Sequence, residues 1–143
     1  MKMRTVWLLG WMFICVSTLL GCQSQQETSD IDKVGMLFEQ SIEEKTWGAK
    51  GYHGLQSIKE EFDAEVYFQE NVQTQQQVNQ VVRNYVNRGV GVIIGHSSNY
   101  GKYFQTIQSN YPNVHFIYVN GGYTAENVTS YILIQWRWAF LQE

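Results

Sequence analysis

Four short apolar runs recur along the chain: Lys33 to Phe38, Glu65 to Phe68, Val90 to Gly95 and Val114 to Val119. Their apolar residues are consecutive, with no alternation against polar ones. That pattern predicts strands buried on both faces of a sheet. Between the runs the period becomes helical. Trp47, Gly51, Leu55, Ile58 and Phe62 recur at helical spacing, and Ser41 followed by Glu44 has the form of a capping box at the helix start. Gly48, Gly51 and Gly54 cost helix propensity, which predicts a helix packed closely on the sheet. Thr74 is the expected cap of a second helix, with Val78, Val81, Val82, Tyr85 and Val86 on one face. Gly89 stands where a left-handed residue ends it.

A loop, His96 to Asn99, leads into a third helix carrying Tyr100, Tyr103, Phe104, Ile107 and Tyr111, which Pro112-Asn113 ends. Asn120-Gly121-Gly122 predicts a turn, and Asn127 to Tyr131 a fifth strand. The order β-α-β-α-β-α-β-β predicts an α/β fold in three layers, with a parallel sheet and right-handed crossovers. Residues 32–130 are the expected single domain.

The N-terminus reads as an address. Lys2 and Arg4 precede an apolar stretch from Val6 to Leu20, short for a bilayer-spanning helix. It ends in Leu19-Leu20-Gly21-Cys22, the pattern of a bacterial lipobox. Residues 1–21 are therefore the expected lipoprotein signal peptide, with Cys22 taking diacylglycerol and anchoring the chain to the membrane on its extracytoplasmic face. The polar residues 22–31 are the expected tether. A plain secretory signal or uncleaved anchor is the alternative. Cys15 lies inside the signal, which leaves Cys22 alone and excludes an intrachain disulfide in the mature chain.

Charge narrows the partners. The chain has 10 basic and 13 acidic residues; without Lys2 and Arg4 the basic count is 8. An acidic domain of this kind has no footprint for nucleic acid. No G-x-S-x-G, P-loop or G-x-G-x-x-G occurs, so no enzyme and no cofactor are expected. His53 and His115 have no partner at metal-ligand spacing, so no metal site is expected either.

Several segments resemble the basic membrane protein (BMP) family of substrate-binding lipoproteins. They are Val34 to Phe38, Trp47 to Leu55, Gly89 to His96, Tyr111 to Phe116 and Asn127 to Ser130. The resemblance implies the N-terminal lobe of a type I periplasmic-binding-protein fold, with strand order 2-1-3-4. It implies a two-lobed clamshell that closes on a small solute, often a nucleoside, and delivers it to the permease of an ABC importer. Members linked to competence control imply an alternative, a regulatory lipoprotein that needs no solute. A small flavodoxin-like enzyme is a further alternative, which the missing phosphate loop argues against.

Ligand groups would come from loops at the C-terminal ends of strands. Trp47 is a candidate to stack on a solute, or else it packs on the sheet. His96, Ser97 and Ser98, with Asn99, open the third helix; free amides there suit polar or anionic ligands, and the alternative is a simply capped loop. Asn120 stands where the family often ends its fourth strand with an acidic residue. The family's Asp-Lys-Ser-Phe-Asn is replaced by Glu44-Lys45-Thr46-Trp47-Gly48, and Gly48 cannot make the asparagine's hydrogen bonds.

Residues 131–143 resemble nothing at the corresponding place in the family. Back-translated with permissible codons and read one base earlier, they become similar to the Gly-Phe-Phe-Gly-Gly-Met-like helix of the family's continuation. The expectation is a frameshifted tail, a missing second lobe and a truncated, non-functional remnant as one outcome.

Overall fold

The computed structural model describes residues 32–44 and 46–132. The lipobox with Cys22, the tether and most of the tail, with Trp136, Trp138 and Phe140, lie outside the described residues. The elements are β1 (Lys33–Leu37), α1 (Trp47–Phe62), β2 (Glu65–Gln69), α2 (Gln75–Asn87), β3 (Val92–Gly95), α3 (Tyr100–Ile107), β4 (His115–Val119) and β5 (Val128–Tyr131). All five strands run parallel in the order β2-β1-β3-β4-β5, so β3 is central between β1 and β4.

The local signals explain most boundaries. Thr74 accepts from the Gln77 amide, and the Gln77 side chain accepts from the Thr74 amide, a complete capping box at the start of α2. Gly89, with φ 80°, takes the left-handed turn just after α2. Asn120 also adopts positive φ, 59°, where β4 ends; Asn tolerates that region better than most residues.

The expected capping box at Ser41 does not form. The Ser41 hydroxyl accepts from the Glu43 amide and donates to the Glu70 carboxylate, which also accepts from the Ile42 amide at 2.6 Å. A carboxylate is the stronger acceptor, so it takes the serine, and Ser41 to Glu44 becomes a loop clamped to the end of β2. The helix begins only at Trp47, and Thr46 offers it no side-chain cap.

The core lies on both faces of the sheet, unequally. Against α2 and α3, a large cluster buries Leu37, Tyr85, Ile93, Phe104, Phe116 and Tyr118. On the other face α1 covers Val34, Met36 and Phe38 with Leu55. β1 is therefore buried on both faces, as its unbroken apolar run predicts. β3 and β4 are not: Val92, Ile94, His115, Ile117 and Val119 are half-buried. The physical reason is coverage. α1 lies over β1, and among the described residues it is the one helix on that side.

Candidate functional site

The C-terminal ends of β1, β3 and β4 form one edge of the sheet, and the candidate residues gather there. His96 directly follows β3; its amide donates to the Leu37 carbonyl at the end of β1. α1 starts beside it. The Trp47 indole lies flat on the His96 ring, with centroids 4.4 Å apart and planes 16° apart. Two hydrogen bonds cross the pair. The Trp47 Nε1–H donates to the His96 carbonyl at 2.9 Å, and His96 Nε2 lies 2.9 Å from the Trp47 carbonyl. Phe38 meets the imidazole edge-on at 5.5 Å.

Glycine makes this approach possible. A Cβ on Gly51 would lie 2.5 Å from the His96 ring, and one on Gly48 2.5 Å from the Ser41 carbonyl oxygen. The small residues of α1 thus admit an imidazole and a loop, where the sequence predicted close contact with the sheet. Gly54 has nothing within 4 Å and serves no such purpose.

His96 is only 9% exposed, and burial holds its pKa below the usual histidine value. Trp47 is 37% exposed, so the indole packs with one surface and meets solvent with another. Phe38, Glu39, Gln40, Trp47, Gly48 and His96 line a cavity of about 20 Å³. That is room for about one water molecule. A hollow of about 470 Å³ lies on the outside of α2. Its lining, Gln75, Gln76, Asn79, Gln80 and Arg83, comes from one helix, which makes it a surface groove.

The other candidates share the edge but play different parts. Ser97 Oγ accepts from the Asn99 amide, and the Ser97 and Ser98 carbonyls accept from the Tyr100 and Gly101 amides. The amides of Asn99, Tyr100 and Gly101 are thus engaged within the loop. Asn120 is exposed just past β4, and its amide donates to the Tyr131 carbonyl. The sequence reading missed Phe38, Glu39 and Gln40 at the cavity and Glu70 as the clamp of the loop before Trp47. Glu70 follows a strand and lies 28 residues from Ile42, a separation that carries no local signal. Among the described residues no group of His, Cys, Asp and Glu could hold a metal ion.

Comparison with known proteins places this geometry. The family of ABC transporter substrate-binding proteins described as PnrA-like matches residues 31–142. The transcriptional activator protein med of Bacillus subtilis is 35% identical over 122 residues. That match covers 85% of this chain and 38% of the relative, so the chain spans well under half of the relative's length. A transcriptional activator of the comK gene from Bacillus halodurans superposes with a TM-score of 0.63 at 36% identity, covering 68% of this chain and 33% of that one. A solute-binding protein of an ABC transporter system from Conexibacter woesei gives the same TM-score at 19% identity, covering 71% and 35%, and shows the shared fold alone. The fold is that of one lobe of a periplasmic-binding protein, and the chain belongs to the Bmp family of PnrA-like, ABC-transporter substrate-binding proteins.

Proposed function

We propose that this chain is the solute-contacting N-terminal lobe of an extracytoplasmic lipoprotein. It is anchored through diacylglycerol on Cys22, recognises a small solute without covalent chemistry and delivers it to an ABC importer. The observation that carries this reading is the placement of Trp47. A large, partly exposed indole is pinned by one hydrogen bond and by stacking on His96 at the C-terminal edge of an open parallel sheet, where such sheets bind ligands. His96, Ser97, Ser98 and Asn120 supply polar groups along the same edge. A cavity of about 20 Å³ holds no solute by itself, so the solute rests on the edge and a second surface closes over it. Nucleosides are the first solutes to test, because an indole suits a flat base. Asn120 and Gly48, standing where the nucleoside-binding pattern has other residues, weaken that choice.

Calorimetric titration of the full chain in detergent against a nucleoside panel tests the proposal. Saturable heat that Trp47→Ala removes supports it. Absence of binding across the panel favours a second reading, a regulatory lipoprotein that works without a solute. Two observations support that alternative: the edge is largely filled by its own side chains, and relatives at 35% and 36% identity carry the names of transcriptional activators.

A further inference from the structure

We infer that His96 determines solute specificity on this edge: its imidazole is locked with the proton on Nε2, and its Nδ1 lone pair accepts a hydrogen bond from an N–H or O–H of the solute. The inference rests on the solute-binding role proposed above.

The tautomer follows from the partner. His96 Nε2 lies 2.9 Å from the Trp47 carbonyl. A carbonyl oxygen only accepts, so Nε2 must carry the hydrogen. A neutral imidazole then has its lone pair on Nδ1. Burial favours that neutral form. Among the described residues no donor reaches Nδ1, and no buried side-chain nitrogen or oxygen lacks a partner. Nδ1 therefore keeps access to solvent in a residue that is otherwise nine-tenths buried.

The ring is held on several sides. Trp47 stacks on one face, Phe38 abuts it, and Gly51 leaves no room for a side chain beneath it. A flip that turned Nδ1 toward the Trp47 carbonyl would break the Nε2 bond. The acceptor is thus preorganised, and a solute donor finds it without reordering the edge.

The neighbouring amides sharpen the choice of solute. Those of Asn99, Tyr100 and Gly101 already bond within the loop, at 3.2, 3.3 and 3.2 Å. With these donors spent and a lone pair presented, the edge selects a neutral, planar solute with a hydrogen-bond donor. A carboxylate, or the unprotonated oxygens that predominate on a phosphate, would lie against that lone pair with no hydrogen to give.

The test uses the full chain, 15N-labelled, in detergent micelles, with adenine and inorganic phosphate as probes. Long-range proton–nitrogen correlations of the His96 ring, assigned through His96→Gln, report the tautomer directly. Nδ1 is expected to resonate as an unprotonated nitrogen in the free chain. Adenine is expected to shift it, and phosphate to leave it unmoved. His96→Gln can still donate to the Trp47 carbonyl but places no acceptor at the Nδ1 position, and is expected to weaken adenine binding about tenfold. His96→Asn, whose amide oxygen falls near that position, is expected to recover much of the loss. A protonated Nδ1 in the free chain overturns the inference. So does adenine binding that shifts the Trp47 indole signals while Nδ1 stays silent, a result that leaves the solute-binding role standing. Silence of both nuclei toward adenine overturns the inference and the solute-binding role together.

Discussion

Trp47 and His96, 49 residues apart, bond to each other's backbone carbonyls through their ring nitrogens while their rings stack at 4.4 Å. Each ring is thereby fixed by the main chain of the other. The start of α1 and the end of β3 are tied at the C-terminal edge of the sheet. This joint converts two loop-adjacent side chains, each flexible alone, into one rigid feature.

The joint gives stability a pH dependence. Burial lowers the folded-state pKa of His96 below the ordinary histidine value of about 6.5. In the window between the two values the unfolded chain binds more protons than the folded one, so stability rises with pH and declines as pH drops. The contribution is complete above pH 6.5 and is lost as pH drops through the folded-state value. Urea midpoints at several pH values should decline below 6.5, and His96→Gln should flatten that decline. An unchanged slope in the variant would show that the burial of His96 does not set the decline.

Alanine at two glycines of α1 should act with opposite signs. Gly51→Ala puts a Cβ 2.5 Å from the imidazole and must displace it, a steric cost of about 1–3 kcal/mol. Trp47 fluorescence should change with it, since the stacked partner moves. Gly54→Ala meets nothing within 4 Å and removes a glycine from a helix interior, a gain of about 1 kcal/mol. Thermal melts of both variants check the pair. Equal shifts would show that propensity, and not contact with His96, decides at Gly51.

Much of the fold was legible because its signals are local. Thr74, Gly89 and the apolar run around Ile93 lie within a few residues of what they specify, and the alternation of periods points to a parallel sheet, whereas the central place of β3 follows from the family resemblance. The errors share the opposite property. Ser41 was read with Glu44, three residues away, when its partner is Glu70, 29 away. The stacking of Trp47 on His96 and the reason for Gly51 are likewise non-local. The half-coverage of β4 was hidden too, since Ile117 and Val119 are apolar whether or not a helix covers them.

Anchoring is tested at Cys22. The apolar stretch ending in Leu19-Leu20-Gly21-Cys22 predicts cleavage before the cysteine and lipid on its sulfur. Cys22→Ala should release the protein from the membrane fraction or leave the precursor unprocessed. Fractionation and labelling with a fatty-acid analogue read both outcomes. Normal processing and unchanged membrane association in the variant would reject lipidation.

Asn127 is the polar residue whose loss should cost most. It is 9% exposed and lies immediately before β5, and its backbone carbonyl accepts from the Phe116 amide of β4. Its side-chain Nδ2 lies 3.2 Å from the Gln108 carbonyl and 3.0 Å from those of Tyr111 and Val114. An amide has two hydrogens, so three acceptors share them, and together they gather the end of the third helix and the approach to β4. Asn127→Leu keeps the branched outline but no donor, and strands these carbonyls, for a cost of about 2–3 kcal/mol. Asn127→Asp should be worse at neutral pH, because a carboxylate placed against three carbonyl oxygens repels them and donates nothing. Protonation restores one donor, so acidification should narrow the gap between Asp and Asn, opposite in direction to the His96 effect. Urea unfolding of both variants across pH measures this. A Leu variant as stable as the parent would show that water replaces the amide at all three carbonyls.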